Sequence, residues 1–369
     1  MDCNCLVYAC ALSKIFAYKC IISRQLIDSF DDISDIFNLN RKELYGILPN
    51  CALFIEEILN HKNLEWAYRE IKWAKEFGID IYYINDQKYP YRLKECYDAP
   101  IILYYKGNAD INSSRILSIV GTRKATYYGK ETCRKIVEQL SFNSIKPLIV
   151  SGLAYGIDAM AHRTALELGL ETIGVMATGL DTIYPQAHRE LGKRILEHGG
   201  LLTDFTSNTS SLPINFVRRN RIIAGMSDAV LLVESASKGG GIITANLAHS
   251  YSKEIFAVPG RISDNTFEGC NRLIGANIAN AIVDYNTIEK VMKWEDIKWK
   301  KIIQKKLFYD SDNEIKKKII TLLKIESPLS IEKIFELAEI PINELTLNLL
   351  ELELENRIIT LAGNNYGLV

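Results

Sequence analysis

The stretch "ILSIVGTRKATYYG", residues 116–129, decides the fold of this 369-residue chain. It opens with five residues that suit a buried β-strand, passes through a glycine turn, and continues as a segment of helical character. A strand that leads through a glycine turn into a helix is the repeating unit of a parallel α/β sheet. The stretch therefore predicts an α/β fold in which further units of the same kind should follow.

Further strand-like runs do follow, separated by amphipathic segments of helical length. They are "LIVS" (148–151), "TIGVMA" (172–177), "GLLTD" (200–204), "AVLLV" (229–233), "EIFAV" (254–258) and "AIVD" (281–284). Continuous apolar strands alternating with helices are typical of a parallel sheet covered on both faces. Right-handed crossovers then predict a doubly wound, mostly parallel, Rossmann-like sheet.

The regions outside this alternation predict a division into domains. Residues 1–62 show apolar residues at three- and four-residue spacing, which predicts a small helical domain before the sheet domain of residues 63–293. Residues 294–312 are rich in lysine and predict a linker. Residues 313–369 predict three helices followed by a β-hairpin, a winged-helix pattern that could bind either DNA or protein.

Composition limits the classes of function. The formal net charge is −1, so a site for a polyanion must be a local patch rather than a property of the whole chain. No run of 18 apolar residues occurs and no basic leader precedes the first apolar run, so we expect a cytoplasmic protein without membrane association. The eight cysteines lack zinc-binding spacing and predict reduced thiols and no metal site.

The loops after the predicted strands share a composition. All are rich in glycine, serine, threonine or arginine, as in "GTRKAT" (121–126), "SGLAYGID" (151–158) and "ESASKGGGIITA" (234–245). The carboxyl ends of parallel strands meet at one edge of a sheet, where ligands collect. Glycine permits close approach of a ligand, and helix amino termini offer N–H groups to anions. We therefore predict an anion site at this edge.

The segment "PINFVRRNR" (213–221) adds positive charge to that edge. Pro213 suits the first turn of a helix, so its arginines fall near a helix amino terminus, and Arg123 reaches the same rim. Such arginines oppose the helix dipole unless an anion binds beside them, which favours a phosphate backbone as ligand. The alternative is a solvated or internally paired cluster. Phe216 is either a base-stacking platform or a core residue.

Enzymatic interpretations find weaker patterns. There is no G-x-G-x-x-G motif or Walker lysine, so no cofactor is predicted. Ser151, Asp158 and His162 could form a hydrolase triad, but Ser151 lacks a G-x-S-x-G context, and capping and packing roles are favoured for Asp158 and His162. Glu234 ends a strand, as does the catalytic acid of Rossmann-like nucleotide hydrolases. A nucleotide N-glycoside hydrolase is therefore the second hypothesis.

Ordered motifs over residues 65–293 resemble the bacterial DNA-processing protein A family (DprA, also called Smf). They are "SIVGTRKATYYG", "IVSGLAYGIDAMAH", "TGLDTIYP", "FVRRNRIIAGMSD", "GGGIITANLA" and "FAVPGRISDNTFEGCNRLI". The tail resembles the winged helix of the family. The first 62 residues resemble its small helical domain, of the SAM or helix–hairpin–helix kind. Three positions depart from common family residues: Tyr155 replaces a basic residue, His188 an asparagine and Val217 a proline.

The resemblance implies an extended Rossmann fold that is not known to be an enzyme. It implies single-stranded DNA binding, a homodimer formed through the central domain, and loading of the RecA recombinase onto DNA during natural transformation and recombination. The arginine cluster and the resemblance together mark the following candidate DNA-binding residues: Arg123, Ser151, Gly152, Phe216, Arg218, Arg219, Asn220, Arg221 and Gly240.

Overall fold

A computed structural model describes residues 3–294, 314–355, 357–361 and 365–368. The chain forms two compact units, residues 1–296 and 297–369, and each is described by itself. Apart from Trp294, the predicted lysine-rich linker of residues 294–312 lies outside the described residues. None of the helices in the described ranges has the length and apolar character needed to cross a membrane.

The first unit is built on a nine-stranded sheet with the order β1-β2-β6-β5-β4-β3-β7-β8-β9. The strands are β1 (Asp80–Tyr83), β2 (Ile102–Gly107), β3 (Ile116–Val120), β4 (Leu148–Gly152), β5 (Thr172–Val175), β6 (Gly199–Thr203), β7 (Ala229–Leu232), β8 (Glu254–Ala257) and β9 (Asn280–Ala281). Strands β3 to β9 pair in parallel throughout. The predicted mostly parallel sheet is confirmed, and each predicted strand overlaps an observed one.

Strands β1 and β2 were not among the predicted runs. They extend one edge of the sheet as an antiparallel pair, with β2 antiparallel to β6. The alternation of strands and helices starts only after β2, so the pattern that predicts the parallel strands contains no signal for this pair. The sheet is therefore mixed at one edge and parallel elsewhere.

Helices cover the sheet. They are α6 (Lys62–Glu76), α7 (Tyr91–Lys94), α8 (Tyr127–Ser141), α9 (Ile157–Glu167), α10 (Arg189–Glu197), α11 (Pro213–Met226), α12 (Gly240–Ser250), α13 (Glu268–Gly275) and α14 (Thr287–Met292). Helix α9 packs against α8 and α10, whereas α11 packs against α12, and both α9 and α11 contact β3, β4 and β5. The strand order reverses between β3 and β7, so a crevice opens there at the carboxyl edge of the sheet.

Five described helices precede α6: α1 (Cys3–Phe16), α2 (Cys20–Asp28), α3 (Asp35–Asn38), α4 (Arg41–Ile47) and α5 (Ala52–Leu59). Helix α1 packs against α6 and β2, and its buried side chains, including Leu12 and Phe16, belong to the same apolar core as the sheet. The amino-terminal helices are thus joined to the sheet by burial of apolar surface.

The second unit contains α15 (Glu314–Ile325), α16 (Ile331–Ala338) and α17 (Ile342–Leu354). A small sheet of β10 (Leu329–Ser330), β11 (Ile358–Leu361) and β12 (Asn365–Leu368) accompanies them, with β12 antiparallel to both other strands. The unit has its own apolar core, which includes Ile319, Leu345 and Leu349. Three helices with a β-hairpin correspond to the predicted winged-helix pattern, although hairpin residues 362–364 lie outside the described ranges.

Candidate nucleic-acid interface

A cleft of about 360 Å³ lies in the crevice at the carboxyl edge of the sheet. The turn after β3, the start of α9, the first three turns of α11 and the loop between β7 and α12 form its walls. Of the candidate residues, it is lined by Arg123, Phe216, Arg219, Asn220 and Gly240. The loops that the sequence places at one edge therefore meet around one cavity.

Helix α11 directs its side chains in two directions. Pro213 occupies its first turn, as predicted, and Ile222, Ile223 and Met226 are buried. Cleft-lining residues recur at Phe216, Arg219/Asn220 and Ile223, a helical spacing that puts them on one side. The same spacing turns Arg218 and Arg221 toward another side of the helix.

Arg219 forms the inner wall of the cleft. Its side chain is 4 % exposed, and its Nη1 donates to the carbonyl oxygen of Val175 at the end of β5. Burial lowers the pKa of this guanidinium to about 10, against the opposing effect of the Asp158 carboxyl. Burial raises the pKa of the Asp158 carboxyl, and the positive charge of Arg219 partly offsets this rise. The pair places one partly compensated positive charge at the base of the cavity.

The floor beneath Arg219 is built on Gly152. A Cβ atom at this position would overlap the guanidinium of Arg219 and the carboxyl of Asp158, so only glycine leaves room for both. The Gly152 carbonyl accepts a hydrogen bond from Nε2 of His162 at 2.7 Å. Gly152 therefore supports the cleft from below and is itself buried.

Ser151 also lies below the cleft and is fully buried. Its hydroxyl donates to the carbonyl of Ile119 at 2.5 Å. His162 is buried as well, and burial lowers its pKa to about 4. The two side chains are held by separate partners, the serine by β3 and the histidine by Gly152 and the hydroxyl of Thr172. This geometry gives both side chains a packing role.

The outer rim carries a cationic and aromatic stack. The guanidinium carbon of Arg123 lies 5.2 Å from the ring centroid of Phe216, and the Arg123 side chain is exposed. On the same ring, Tyr184 packs with centroids 5.5 Å apart. Phe216 is half-buried, so part of its side chain packs against the protein and part lines the open cleft. A base could stack here while its phosphate meets Arg123.

The fourth wall joins α11 to the glycine-rich loop. Asn220 accepts a hydrogen bond from Nε of Arg219 at 3.2 Å and donates to the carbonyl of Gly240 at 3.5 Å. Gly240 is exposed at the amino terminus of α12, where a Cβ would meet open space. Asn220 therefore orients Arg219 and connects it to the start of α12, whose first residues line the cleft.

A second depression of about 450 Å³ shares Arg123 with the cleft. Its basic lining residues are Arg123, Lys124, Lys130, Arg163 and His188, and no acidic residue is found among its described lining. Tyr155 lies on its wall, with its ring 4.8 Å from that of His188. The cationic surface thus continues beyond the cleft along the same rim.

Arg218 does not line the cleft. Its guanidinium carbon lies 3.7 Å from the ring centroid of Tyr18, which precedes α2. This cation–π contact joins α11 to the amino-terminal helices. The structure therefore separates Arg218 from Arg219 although the two are adjacent in sequence.

Arg221 is also directed away from the cleft. It is 7 % exposed, and it donates to the Asp204 carboxylate and to the carbonyl of Asp98. Burial lowers the pKa of Arg221, but the neighbouring groups, chiefly the Asp204 carboxylate and also Asp98, together outweigh burial and hold the pKa above its ordinary value. Arg221 is therefore held inside the protein by an ion pair that does not face the cleft.

Glu234, the candidate acid of the hydrolase hypothesis, is fully buried. Its Oε2 accepts from both the backbone N–H and the hydroxyl of Thr126, each at 2.9 Å. Gly129 packs so closely on this carboxyl that a Cβ there would overlap it. Glu234 therefore fixes the start of α8 and does not line the cleft.

Some residues of the interface are not among the predicted candidates. Lys124 follows Arg123 in the loop "GTRKAT", whereas Lys130 and Arg163 lie outside the quoted loops, and only the fold brings the three to one depression. The contact of Tyr184 with Phe216 depends on the approach of a distant loop. A local pattern therefore points to Lys124 alone, through its place beside Arg123.

Comparison with known proteins agrees with this geometry. Residues 80–293 match the family model described as DNA recombination-mediator protein A. The chain is 38 % identical over 262 residues to DNA processing protein DprA of Streptococcus pneumoniae, covering 71 % of this chain and 86 % of that protein. It is 32 % identical over 295 residues to protein Smf of Escherichia coli, covering 79 % and 78 % of the two chains.

Solved structures support the same relationship. The X-ray structure of DprA from Streptococcus pneumoniae matches with a TM-score of 0.61 at 30 % identity, over 76 % of this chain and 92 % of that one. DNA processing protein A from Helicobacter pylori, whose structure concerns its single-stranded DNA binding mode, matches with a TM-score of 0.53 at 27 % identity, over 58 % and 96 %. The predicted resemblance is confirmed: this chain belongs to the DNA recombination-mediator protein A family.

Proposed function

We propose that this protein binds single-stranded DNA in the cleft and acts as a recombination mediator. The observation that carries the proposal is the meeting of Arg123, Phe216 and Arg219 around one glycine-edged cavity at the carboxyl edge of the sheet. Positive charge beside an aromatic ring suits a flexible strand, because phosphates pair with the arginines while bases stack. Among the described residues, the cleft offers arginines, glycines and an aromatic ring rather than a set of side chains that reads base edges, so binding should be independent of sequence.

The DNA path extends from the cleft into the second depression. Both cavities share Arg123, and the lysines and Arg163 of the second depression would neutralise the phosphates that follow along the strand. Tyr155 takes the place of a basic residue of the family and offers a ring instead of a charge at this point. Ser151 and Gly152 act from below by keeping Arg219 in place, while Arg218 and Arg221 hold α11 in the fold.

The family relationship supports the further steps of the proposal. The protein acts in the cytoplasm as a homodimer formed through the Rossmann-like unit. This homodimer loads the RecA recombinase onto the bound strand. This role requires no chemical step on the DNA, and the burial of Glu234 gives the hydrolase hypothesis no support. An assay of RecA filament formation on DNA covered with single-strand-binding protein tests the mediator role, and acceleration by this protein is the expected outcome.

The binding step is tested by titrating labelled single- and double-stranded oligonucleotides at several salt concentrations. The logarithm of the binding constant should fall with the logarithm of salt concentration by about 0.7 per phosphate neutralised. Arg123→Glu should abolish most binding without changing thermal unfolding, because Arg123 is exposed. Arg41→Glu, which alters an exposed arginine on α4, is the matched control. A flat salt dependence, or equal loss in both variants, would contradict the proposed site.

A further inference from the structure

Helix α17 of the second unit carries an apolar stripe on the side opposite to its core. Leu345, Leu349 and Leu352 are buried in the core of the unit. Leu347, Leu350 and Leu354 occupy the opposite side and are 56 %, 53 % and 76 % exposed. Single exposed leucines are common on protein surfaces, but a helix that is apolar on two opposite sides normally has a partner on each.

The spacing of this stripe is that of a helix-pairing surface. Positions 343, 347, 350 and 354 follow the alternating four- and three-residue steps of a coiled-coil seam, with Asn343 at the first and leucines at the others. Successive turns of α17 thus each place one of these side chains on a single line along the helix surface. The stripe, defined here as Leu347, Leu350 and Leu354, suits an incoming helix.

Acidic side chains flank the stripe on both sides. Helical geometry puts Glu344, Glu351 and Glu355 along one flank and Glu353 on the other. Lys316 of α15 pairs with Glu351 and Glu355, each at 2.8 Å, and Arg357 also pairs with Glu355 at 3.3 Å, so the three glutamates of that flank exceed the two cations by one charge. Helix α17 itself contains no lysine or arginine. The partner must therefore meet an apolar line between negative borders.

These charges exclude three of the usual partners of such a module. The third helix of a winged-helix domain enters the major groove of duplex DNA, where glutamates would face phosphates. A second copy of α17 would set acidic flank against acidic flank in either orientation, which opposes pairing. An anionic membrane surface is repelled for the same reason.

We propose that the leucine stripe of α17 is a docking surface for a basic amphipathic helix of a protein partner. That helix would place apolar residues at three- and four-residue spacing on the stripe and lysine or arginine beside the glutamates. Apolar contact supplies the affinity, and the acidic flanks select the partner by charge. This surface belongs to the second unit, whereas the proposed DNA cleft belongs to the first.

The test uses the full-length protein and a labelled three-heptad peptide with leucine at the a and d positions and lysine at e and g. Saturable binding is expected, weakening as salt rises, because part of the attraction is between exposed charges. Leu347→Gln combined with Leu350→Gln should weaken it about tenfold or more, as truncation of central contacts does. Glu344→Lys combined with Glu353→Lys should weaken it by a similar factor.

Control variants and a control peptide distinguish binding at the leucine stripe from nonspecific binding. Leu53→Gln changes a leucine of α5 that is at least as exposed and should leave peptide binding unchanged. A peptide with glutamate at e and g should bind at least tenfold more weakly. Thermal unfolding of each variant should match that of the parent, because the altered leucines and Glu344 are exposed and Glu353 is only partly buried.

Three outcomes would overturn the proposal. The first is absence of peptide binding, which is also expected if another part of the chain covers the stripe. The second is a loss of self-association in the leucine variant, measured by sedimentation without peptide, which would make a second copy the occupant. The third is a loss of duplex DNA binding in that variant. Single-stranded DNA binding in the same samples reports the proposed cleft independently.

Discussion

Arginines on the two sides of helix α11 have different roles. On the cleft side, Arg219 lies beside an open cavity and Arg123 approaches from the turn after β3. On the other side, Arg221 is paired with Asp204 inside the protein and Arg218 rests on Tyr18. Arginines one to three residues apart therefore divide between a ligand surface and the support of that surface. The difference teaches that helical phase and distant partners, rather than local charge density, decide the role of each arginine.

The largest expected effect concerns the support side. Arg221→Met leaves the buried Asp204 carboxylate without its partner, which should lower the free energy of unfolding of the first unit by about 3–5 kcal/mol. Urea titration followed by tryptophan fluorescence measures this loss. At urea concentrations below the unfolding transition, the affinity of the Arg221→Met variant for single-stranded DNA should stay within about twofold of the parent, since Arg221 does not line the cleft.

A second variant makes this prediction specific to the ion pair. Arg221→Met together with Asp204→Leu removes both charges and should recover part of the lost stability, because an apolar replacement of a buried pair is often tolerated. If Arg221→Met instead left unfolding unchanged and abolished DNA binding, the two sides of α11 would have been assigned the wrong way round.

A buried, neutral histidine lies below the cleft side of α11, and it predicts that the free energy of unfolding depends on pH. Burial lowers the pKa of His162 to about 4, whereas the unfolded chain has a value near 6.5. Between these values the unfolded state binds the additional proton, so stability falls as pH decreases from about 6.5 toward 4, by up to about 3 kcal/mol. The raised pKa of Asp158 acts in the opposite direction, since its protonated form is favoured in the folded state.

The comparison of the parent with His162→Gln isolates the histidine from Asp158 and from other titrating groups. Unfolding free energies measured across the same pH range should differ in slope, the variant being the less pH-sensitive of the two below pH 6.5. Parallel curves would mean that His162 titrates normally and is not buried in a neutral form. Phe216→Leu should keep the parent's slope, because it changes no titrating group and Phe216 makes none of the His162 bonds.

Much of this division could not have been predicted from sequence. Continuous apolar runs and Pro213 predicted the parallel strands and the start of α11, because both signals are local. Whether an arginine meets Val175, Asp204 or Tyr18 depends on segments that only the fold brings together. The antiparallel pair β1–β2 was missed for a related reason, since its pairing with β6 joins residues about a hundred positions apart.

Phe216 offers a smaller effect on the cleft side. Phe216→Leu keeps an apolar side chain against Tyr184 but removes the ring face beneath Arg123. Base stacking contributes about 1–3 kcal/mol per base, so a partial loss should weaken single-stranded DNA binding by about fivefold. Fluorescence anisotropy with a labelled oligonucleotide measures it, and the salt slope should be unchanged because no charge is removed. A changed slope with unchanged affinity would contradict a stacking role.

The smallest expected effect tests the contact between Arg218 and Tyr18. The guanidinium lies 3.7 Å from the ring centroid, and Tyr18 is about half exposed, so the contact is a partly solvated cation–π pair. A double-mutant cycle with Arg218→Ala and Tyr18→Leu should give a coupling free energy of about 0.5–1 kcal/mol in urea unfolding. DNA affinity should not change in either single variant, because neither side chain lines the cleft. If Arg218→Ala weakened single-stranded DNA binding as much as Phe216→Leu does, the strand would have to pass over both sides of α11. The arginine cluster would then act as one surface, against the separation that the packing of these two residues indicates.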